Sequence, residues 1–270
     1  MKYMFKDCIN LENIILGNFD TKMVLNMSGL FMNCIKIRQL NLESFDTSNV
    51  TSMDELFCGC ENLVDINLSS FNTKKVETYS SMFKNCKRIK AINLKNFNTE
   101  NAKSMHSMFS NCINLINLDK SSFNVENVET MNSMFFNCKS IVYLNFKSFK
   151  KSCVYDLESM FYNCISLIYI DLPYFRPFIK PHDNYSLRKM FYNCTSLAYL
   201  NISSLEINKD TKIDRMFHGC PNLTKAIFDK FIFHKISHYS PHSPHDFYLV
   251  NVYGNVNKEI LYQHYLKEIL

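Results

Sequence analysis

Apolar residues return along most of this chain at a fixed interval, which is easiest to follow at cysteine. The nine cysteines that mark it are Cys8, Cys34, Cys60, Cys86, Cys112, Cys138, Cys164, Cys194 and Cys220. Successive members are 26 residues apart, except that 30 residues separate Cys164 from Cys194. Phe stands three residues before each cysteine, and Leu or Ile three residues after it. Such columns predict stacked repeats whose equivalent side chains form one continuous core.

Each repeat carries two predicted elements, and positions within a repeat are numbered from its cysteine as position 0. Before Cys60, the apolar residues Val50, Met53, Leu56 and Phe57 have the spacing of a short amphipathic helix. Asn or Gly at position −1 in eight repeats is typical of a left-handed helix end. After the cysteine, apolar and polar residues alternate as in a half-buried strand. The sequence therefore predicts a leucine-rich-repeat-like α/β solenoid, with one short parallel strand and one short helix in each of its nine repeats.

The repeat pattern predicts one domain with an insertion and a tail. The repeats occupy residues 1–231, and their four extra residues fall within 173–186, where three prolines predict a loop. Residues 232–270 lose the period and are expected to form a C-terminal cap, with a strand at 247–253 and a helix from about 257. The pattern begins at Met4 without a polar capping unit. This start predicts a fragment, a start site placed too late, or a first repeat covered by a partner.

Composition narrows the possible partners. The formal net charge of +5 is spread over interleaved Lys, Asp and Glu, which disfavours a nucleic-acid partner. No apolar run is long enough for a membrane span, and no signal peptide is visible. The regular cysteine column favours buried, reduced thiols, although disulfides between neighbouring repeats remain an alternative. These features do not assign the protein to one cellular compartment.

The repeat resembles a known family. The pattern L-x-x-L-x-L-x-x-F-D-T-S-N-V-T-x-M-x-x-L-F-x-x-C, read from Ile37 to Cys60, is similar to the repeat of BspA-like bacterial surface proteins. The segment FDTSNVTSM at 45–53 is the most specific part, and the resemblance covers about residues 4–231. It implies a leucine-rich-repeat relative with a surface or secreted role in adhesion and binding.

Candidate binding residues lie on repeats six to eight. Position +5 is predicted to face outward and places Tyr143, Tyr169 and Tyr199 on three successive repeats. Position −2 of the same repeats holds Phe136, Tyr162 and Tyr192, and position +7 holds the polar residues Asn145, Asp171 and Asn201. Clustered exposed aromatics beside polar groups are typical of binding surfaces. The rings could instead pack on the insertion or the tail, and the position +7 amides could form a structural ladder between repeats.

No arrangement of residues predicts catalysis, a metal or a cofactor. No nucleophile elbow or phosphate loop is present, and the scattered histidines are His106, His182, His218 and His264. His234, His238, His242 and His245 are dense, but without cysteine or carboxylate ligands at metal-site spacing they are expected to lie in a surface turn. The sequence thus predicts a non-enzymatic scaffold that binds a protein or glycan. The alternative is an assembly component that stacks end to end through its first repeat.

Overall fold

The structure is a computed structural model that describes residues 1–227, apart from 18, 120–121, 145, 147, 150, 173–175, 178–184, 203 and 206–210. Nine short strands are its regular elements in this part of the chain. They are β1 (Gln39–Asn41), β2 (Asp65–Asn67), β3 (Ala91–Asn93), β4 (Asn117–Asp119), β5 (Lys151–Ser152), β6 (Tyr169–Asp171), β7 (Arg176–Pro177), β8 (Tyr199–Asn201) and β9 (Lys225–Ile227). The predicted C-terminal cap at 232–270 lies entirely outside the described residues, so the expected domain boundary stays a prediction.

The strands that follow the cysteines pair in parallel, as predicted. β1 pairs with β2, β3 with β4, and β6 with β8, which also pairs with β9. Partners keep the repeat register, so that Leu40 lies opposite Ile66 and Ile170 lies opposite Leu200. In β1 the middle residue is buried and the two flanking residues are exposed. The alternation read from the sequence is therefore confirmed.

A second line of contacts crosses the repeats at position −8. Single-residue parallel bridges join Asn26 to Ser52, Ser52 to Thr78, and onward repeat by repeat to Lys212. Hydroxyl groups reinforce this line in the first half of the chain, where the Oγ atoms of Ser28 and Ser52 lie 2.7 Å apart. Two parallel ladders on different parts of each repeat thus hold its neighbours in one register.

The predicted helix is wrong: among the described residues, no segment is helical, and consecutive turns take its place. The N–H groups of Glu55 and Phe57 donate to the carbonyls of Ser80 and Met82 in the next repeat, at 2.8 and 2.9 Å. The intervening Leu56 N–H bonds locally to the Met53 carbonyl at 3.3 Å, and the Cys58 N–H bonds locally to the Glu55 carbonyl at 3.0 Å. A helix needs every N–H to bond four residues back within its own segment. Here alternate N–H groups bond the neighbouring repeat instead.

Left-handed residues produce this alternation. Position −1 has positive φ, as at Gly59 (76°) and Asn85 (63°), which agrees with the left-handed residue expected there. Position −5 is also left-handed, at Glu55 (56°) and Ser81 (57°). Two left-handed residues within five positions rotate successive peptide groups out of helical alignment. The apolar residues still point inward, since Val50, Met53, Leu56 and Phe57 are all at most 1% exposed.

Phenylalanine rings form the centre of the core. The position −3 rings stack on one another from Phe5 to Phe217. Ring centroids of Phe57 and Phe83 are 5.3 Å apart, and those of Phe83 and Phe109 are 5.8 Å apart. Each such aromatic pair contributes about 0.5–1.5 kcal/mol beyond its burial. The predicted column of touching rings is therefore confirmed.

The cysteines serve as hydrogen-bond donors between repeats. From Cys34 onward, each thiol in the column donates to the position −3 carbonyl of the preceding repeat; the Cys112 Sγ lies 3.0 Å from the Phe83 carbonyl oxygen. That carbonyl also accepts the N–H of its own repeat's cysteine, as between Cys86 and Phe83 at 3.1 Å. All eleven cysteines are free thiols. A buried carbonyl with two acceptor sites is satisfied by this small, mostly apolar donor.

The four-residue insertion leaves the core columns intact. The rings of Phe161 and Phe191, 30 residues apart, still stack with centroids 5.4 Å apart. Most of 173–186 lies outside the described residues. Its Arg176–Pro177 forms β7, paired in parallel with β5, so this part is a short strand and not the loop that its prolines predicted. Proline is compatible with a strand at an edge, where its missing N–H is not needed.

Removal of one thiol tests the cysteine column. Cys112→Ala deletes a buried donor and leaves a small cavity, so we expect it to lower the free energy of unfolding by about 1–3 kcal/mol, measured by urea denaturation. Cys153→Ala, outside the column and half-buried, is the matched control and is expected to change stability by less than about 0.5 kcal/mol. Equal effects of the two substitutions would contradict a role for the column in stability.

Thiol labelling tests the burial of the column. Burial raises the pKa of the Cys34 thiol to about 12 and that of Cys58 to about 11, so neither is a reactive thiolate at neutral pH. We expect a thiol reagent to label the exposed Cys8 quickly and the half-buried Cys153 more slowly in the native protein. The other nine cysteines should react only after unfolding. Fast labelling of Cys86 or Cys138 in the native protein would show that the stack is open.

Candidate interaction surface

The three position +5 tyrosines form one column on the strand face. Tyr169 and Tyr199 stack with ring centroids 4.5 Å apart and planes 7° from parallel, on the paired strands β6 and β8. Tyr143 is bridged to Tyr169 through the backbone, and its ring is tilted by 45° at 5.8 Å. Tyr143 is 52% exposed, while Tyr169 and Tyr199 are half-buried. The structure therefore brings together the three tyrosines that the sequence singled out.

The position −2 aromatics form a second column on the turn segment. Phe136 and Tyr162 stack with centroids 4.7 Å apart, and Tyr162 and Tyr192 repeat that spacing with planes 2° from parallel. His218 extends the column by one repeat, with its ring centroid 4.7 Å from that of Tyr192. All four rings are half-buried. His218 was missed from the sequence because position −2 had been followed only while it was Phe or Tyr.

The polar candidates at position +7 behave less uniformly than predicted. The Asn201 amide donates to the Asp171 carboxylate of the preceding repeat at 2.9 Å, as a ladder requires. In earlier repeats the side-chain oxygens of Asn41, Asn67 and Asn93 accept the N–H two residues onward in their own turn, at 3.0–3.1 Å. The Asn67 amide also donates to the Glu43 carboxylate of the preceding repeat at 2.9 Å. These asparagines therefore close local turns, and the link between repeats at Asn67 runs through Glu43 instead of through a second asparagine. Asn145 lies outside the described residues.

The continuous amide ladder lies at position −1. The side-chain amide of each asparagine there donates to the amide oxygen of the preceding repeat, from Asn111 on Asn85 at 2.9 Å to Asn193 on Asn163 at 2.6 Å. The sequence pattern predicts only a left-handed backbone for these asparagines. Each therefore has a second role, because its side chain ties one repeat to the next beside the column of Phe136, Tyr162 and Tyr192.

A column of exposed aliphatic residues was also missed. Position +4, next to the tyrosine position, holds Ile116, Val142 and Ile168, which are 47%, 45% and 48% exposed. Their backbones are adjacent, since the Ile168 N–H donates to the Val142 carbonyl at 3.1 Å. The same position holds Arg38 and Lys90 in the second and fourth repeats, and the exposed Val64 in the third. The run of three aliphatic residues in the fifth to seventh repeats was the sequence signal that could have revealed the column.

We name the group Val142, Tyr143, Ile168, Tyr169 and Tyr199 the tyrosine face. Its polar neighbour is Asp171, whose carboxylate accepts a 3.3 Å hydrogen bond from the Tyr169 hydroxyl. Partial burial, together with that carboxylate, raises the pKa of the Tyr169 phenol above its usual value. The phenol is therefore a neutral hydrogen-bond donor at physiological pH. The tyrosine face is thus apolar with polar tips.

The remaining candidate features concern metal binding and membrane insertion. The tail histidines His234, His238, His242 and His245 lie outside the described residues. Within the described ranges, no group of three or more His, Cys, Asp and Glu side chains is placed to hold a metal ion. No helix in that part of the chain has the length and apolar character required to cross a bilayer.

Comparison with known proteins assigns the chain to a family of unknown function. The family described as "Mycoplasma protein of unknown function, DUF285" matches residues 1–115, 82–170 and 182–239, and the chain belongs to this family. No curated protein matches the chain. Among solved structures, a leucine rich cell surface protein from Faecalibacterium prausnitzii A2-165 aligns with 88% of this chain and 79% of its own, at 19% identity and a TM-score of 0.28. That TM-score is too low to support a conclusion about fold or function.

Substitutions at Asn137 separate its two roles. Asn137 has φ of 59° and both donates and accepts within the amide ladder. Asn137→Gly keeps the left-handed backbone and loses the ladder bonds, whereas Asn137→Ala loses both. We expect both variants to be destabilised in urea unfolding, with the alanine variant less stable than the glycine variant by about 1 kcal/mol. An alanine variant as stable as the glycine variant would contradict the backbone role.

Proposed function

We propose that this protein is a non-enzymatic solenoid scaffold that binds a protein partner through the tyrosine face. The observation that carries the proposal is the change in character of one surface along an otherwise regular stack. Positions +4 and +5 hold Arg38 and Gln39 in the second repeat, but Val142 and Tyr143 in the sixth and Ile168 and Tyr169 in the seventh. Val142, Tyr143 and Ile168 are 45–52% exposed, so much of their apolar surface stays outside the packing between repeats.

Ring geometry favours a protein over a glycan. Aromatic residues that bind sugars do so with an open ring face, but Tyr169 and Tyr199 cover each other's faces at 4.5 Å. What they present outward is a ring edge and a hydroxyl group, beside aliphatic side chains. Protein interfaces use this combination, because a tyrosine supplies a large rigid area at low entropic cost and its hydroxyl finds a polar partner at the rim.

The resemblance to BspA-like surface proteins supports a role in adhesion at a cell surface. The non-enzymatic role is carried over from the sequence, which contains no nucleophile elbow or phosphate loop. In this proposal the stack supplies rigidity, since a surface held by two parallel ladders and a ring column loses little entropy on binding.

Loss of two rings tests the tyrosine face. Because Tyr143 is half exposed and Tyr169 only half-buried, Tyr143→Ala with Tyr169→Ala should lower the thermal unfolding midpoint by only a few degrees, from the loss of ring contacts at the surface. Ligands would first be selected on the native protein from a displayed peptide library and from a glycan array. We expect peptides to be recovered, and the double variant to lose at least about tenfold in affinity for them, as for interface hot spots.

The matched control replaces the same positions of repeats that lack tyrosine. Gln39→Ala with Asp65→Ala lies at position +5 of the second and third repeats and should leave binding unchanged. Selection of glycans alone, or equal binding by the tyrosine variant and the native protein, would contradict the proposal. A large loss of stability in the double variant would show that the rings belong to the core.

A further inference from the structure

Asp171 places a carboxylate beside the rings of the tyrosine face. It is the last residue of β6 and is half-buried, on the same side of the strand as Tyr169. Its Oδ2 atom accepts the Tyr169 hydroxyl at 3.3 Å, and its Oδ1 atom accepts the Asn201 amide at 2.9 Å. Both donors are neutral groups. These hydrogen bonds therefore fix the position of the carboxylate but leave its charge uncompensated.

No lysine or arginine in the described part of the chain compensates that charge. Carboxylates elsewhere on the stack pair with a lysine of the next repeat, as Glu61 does with Lys87 and Glu77 with Lys103, both at 2.7 Å. Asp171 takes part in none of the ion pairs formed by the described residues. Partial removal of a carboxylate from water costs free energy, which a nearby cation recovers. The carboxylate of Asp171 is thus suited to a cation that comes from outside these residues.

Tyr143 lies next to this carboxylate on the same face. Its backbone is bridged to Tyr169, and Asp171 follows Tyr169 by two residues. Strand geometry therefore separates the Cα atoms of Tyr143 and Asp171 by about 8 Å. The Tyr143 ring is the most exposed of the three, and the preceding repeat has the exposed Asn117 at the same position instead of another ring. An open ring and a carboxylate consequently lie within the length of one long side chain.

We infer that the partner of the tyrosine face binds there with an arginine side chain, placed between the Tyr143 ring and the Asp171 carboxylate. This inference rests on the proposed function and specifies what the partner must present. Each oxygen of Asp171 accepts one described donor and has a second acceptor site, so both oxygens can bind the fork of a guanidinium group. The planar guanidinium group also packs on an aromatic ring, to which its charge is attracted. Lysine would supply the charge without the fork.

The surroundings indicate which residues accompany that arginine. Val142 and Ile168 are exposed beside the tyrosines, so they fit apolar side chains of the same partner segment. The formal net charge of the chain is +5, which disfavours a partner that is basic throughout. An acidic segment is disfavoured by its repulsion from Asp171. The expected ligand is therefore an apolar segment that contains a single arginine.

Peptides selected on the native protein from the displayed library test this inference. We expect them to contain arginine among apolar residues. One such peptide is then synthesised with arginine and with citrulline, which has nearly the same shape without the charge. Citrulline should weaken binding to the native protein about tenfold, and Asp171→Asn should weaken binding of the arginine peptide by a similar factor. On the Asp171→Asn variant the two peptides should differ by only about threefold or less, because the charge pair is already broken.

Asp65→Asn is the matched control. Asp65 is exposed on the strand face at position +5 of the third repeat, between Gln39 and Ala91 and without a neighbouring tyrosine at that position. Its substitution should leave binding of both peptides unchanged. Asp171→Asn keeps one acceptor oxygen for its neighbours, so its thermal unfolding midpoint should stay within a few degrees of the native value.

Two results would overturn the inference: selected peptides that lack arginine, or equal affinity of the arginine peptide for the native protein and for Asp171→Asn. Neither result would affect the proposed function as long as the Tyr143→Ala, Tyr169→Ala variant loses peptide binding. Peptide binding that this tyrosine variant retains would contradict both the proposed function and the inference that rests on it.

Discussion

Backbone hydrogen bonds between successive repeats are the interaction on which the rest of this structure depends. In each turn segment the left-handed residues at positions −5 and −1 direct alternate N–H groups out of the repeat, as at Glu55 and Gly59. A repeat consequently cannot satisfy its own buried backbone, and each requires a neighbour in register. The side-chain columns follow from this register. Rings meet rings, amides meet amides, and thiols meet carbonyls because the backbone has already placed equivalent atoms about one strand spacing apart.

Some of those side chains provide apolar packing between repeats, and others supply hydrogen bonds to polar groups. Rings such as Phe57 and Phe83 supply apolar contact along the centre of the stack. The thiol of Cys112 supplies a donor to a carbonyl in a place where a hydroxyl or amide would be more costly to bury. Outside this core, position −1 amides link repeats at the surface. Positions +4 and +5 face outward, so their composition can change without loss of stacking. The tyrosine face is one such change in composition at these two positions.

Much of this architecture was predictable, because a residue repeated at one position reports a contact with its own equivalents. That reasoning identified the Phe column, the parallel strands and the outward tyrosines Tyr143, Tyr169 and Tyr199. It failed for the turn segment, since Val50, Met53, Leu56 and Phe57 are spaced equally well for a helix and for the observed turns. The deciding feature was the left-handed position −5, which is occupied by Glu55, Ser81 and Lys189. These residues carry no signal for positive φ, and their conformation is imposed by the bonds to the next repeat.

The polar columns show a related limit. Asparagine at positions −1 and +7 is equally regular in the sequence, yet the first forms a ladder and the second mostly closes local turns. The choice depends on where the side chain points, which composition does not report. The exposure of Val142 and Ile168 could not be predicted for a similar reason. Alternation within a three-residue strand such as β6 does not indicate whether the residue just before the strand is exposed.

The insertion between Cys164 and Cys194 shows what this design tolerates. Four added residues leave the Phe161 and Phe191 rings stacked, the Asn163 and Asn193 amides bonded, and the Cys194 thiol on its carbonyl. The number of residues between Cys164 and Cys194 therefore does not change the distance between the two repeats. An insertion at this point can therefore change the surface that the chain displays while the contacts between the two flanking repeats are kept.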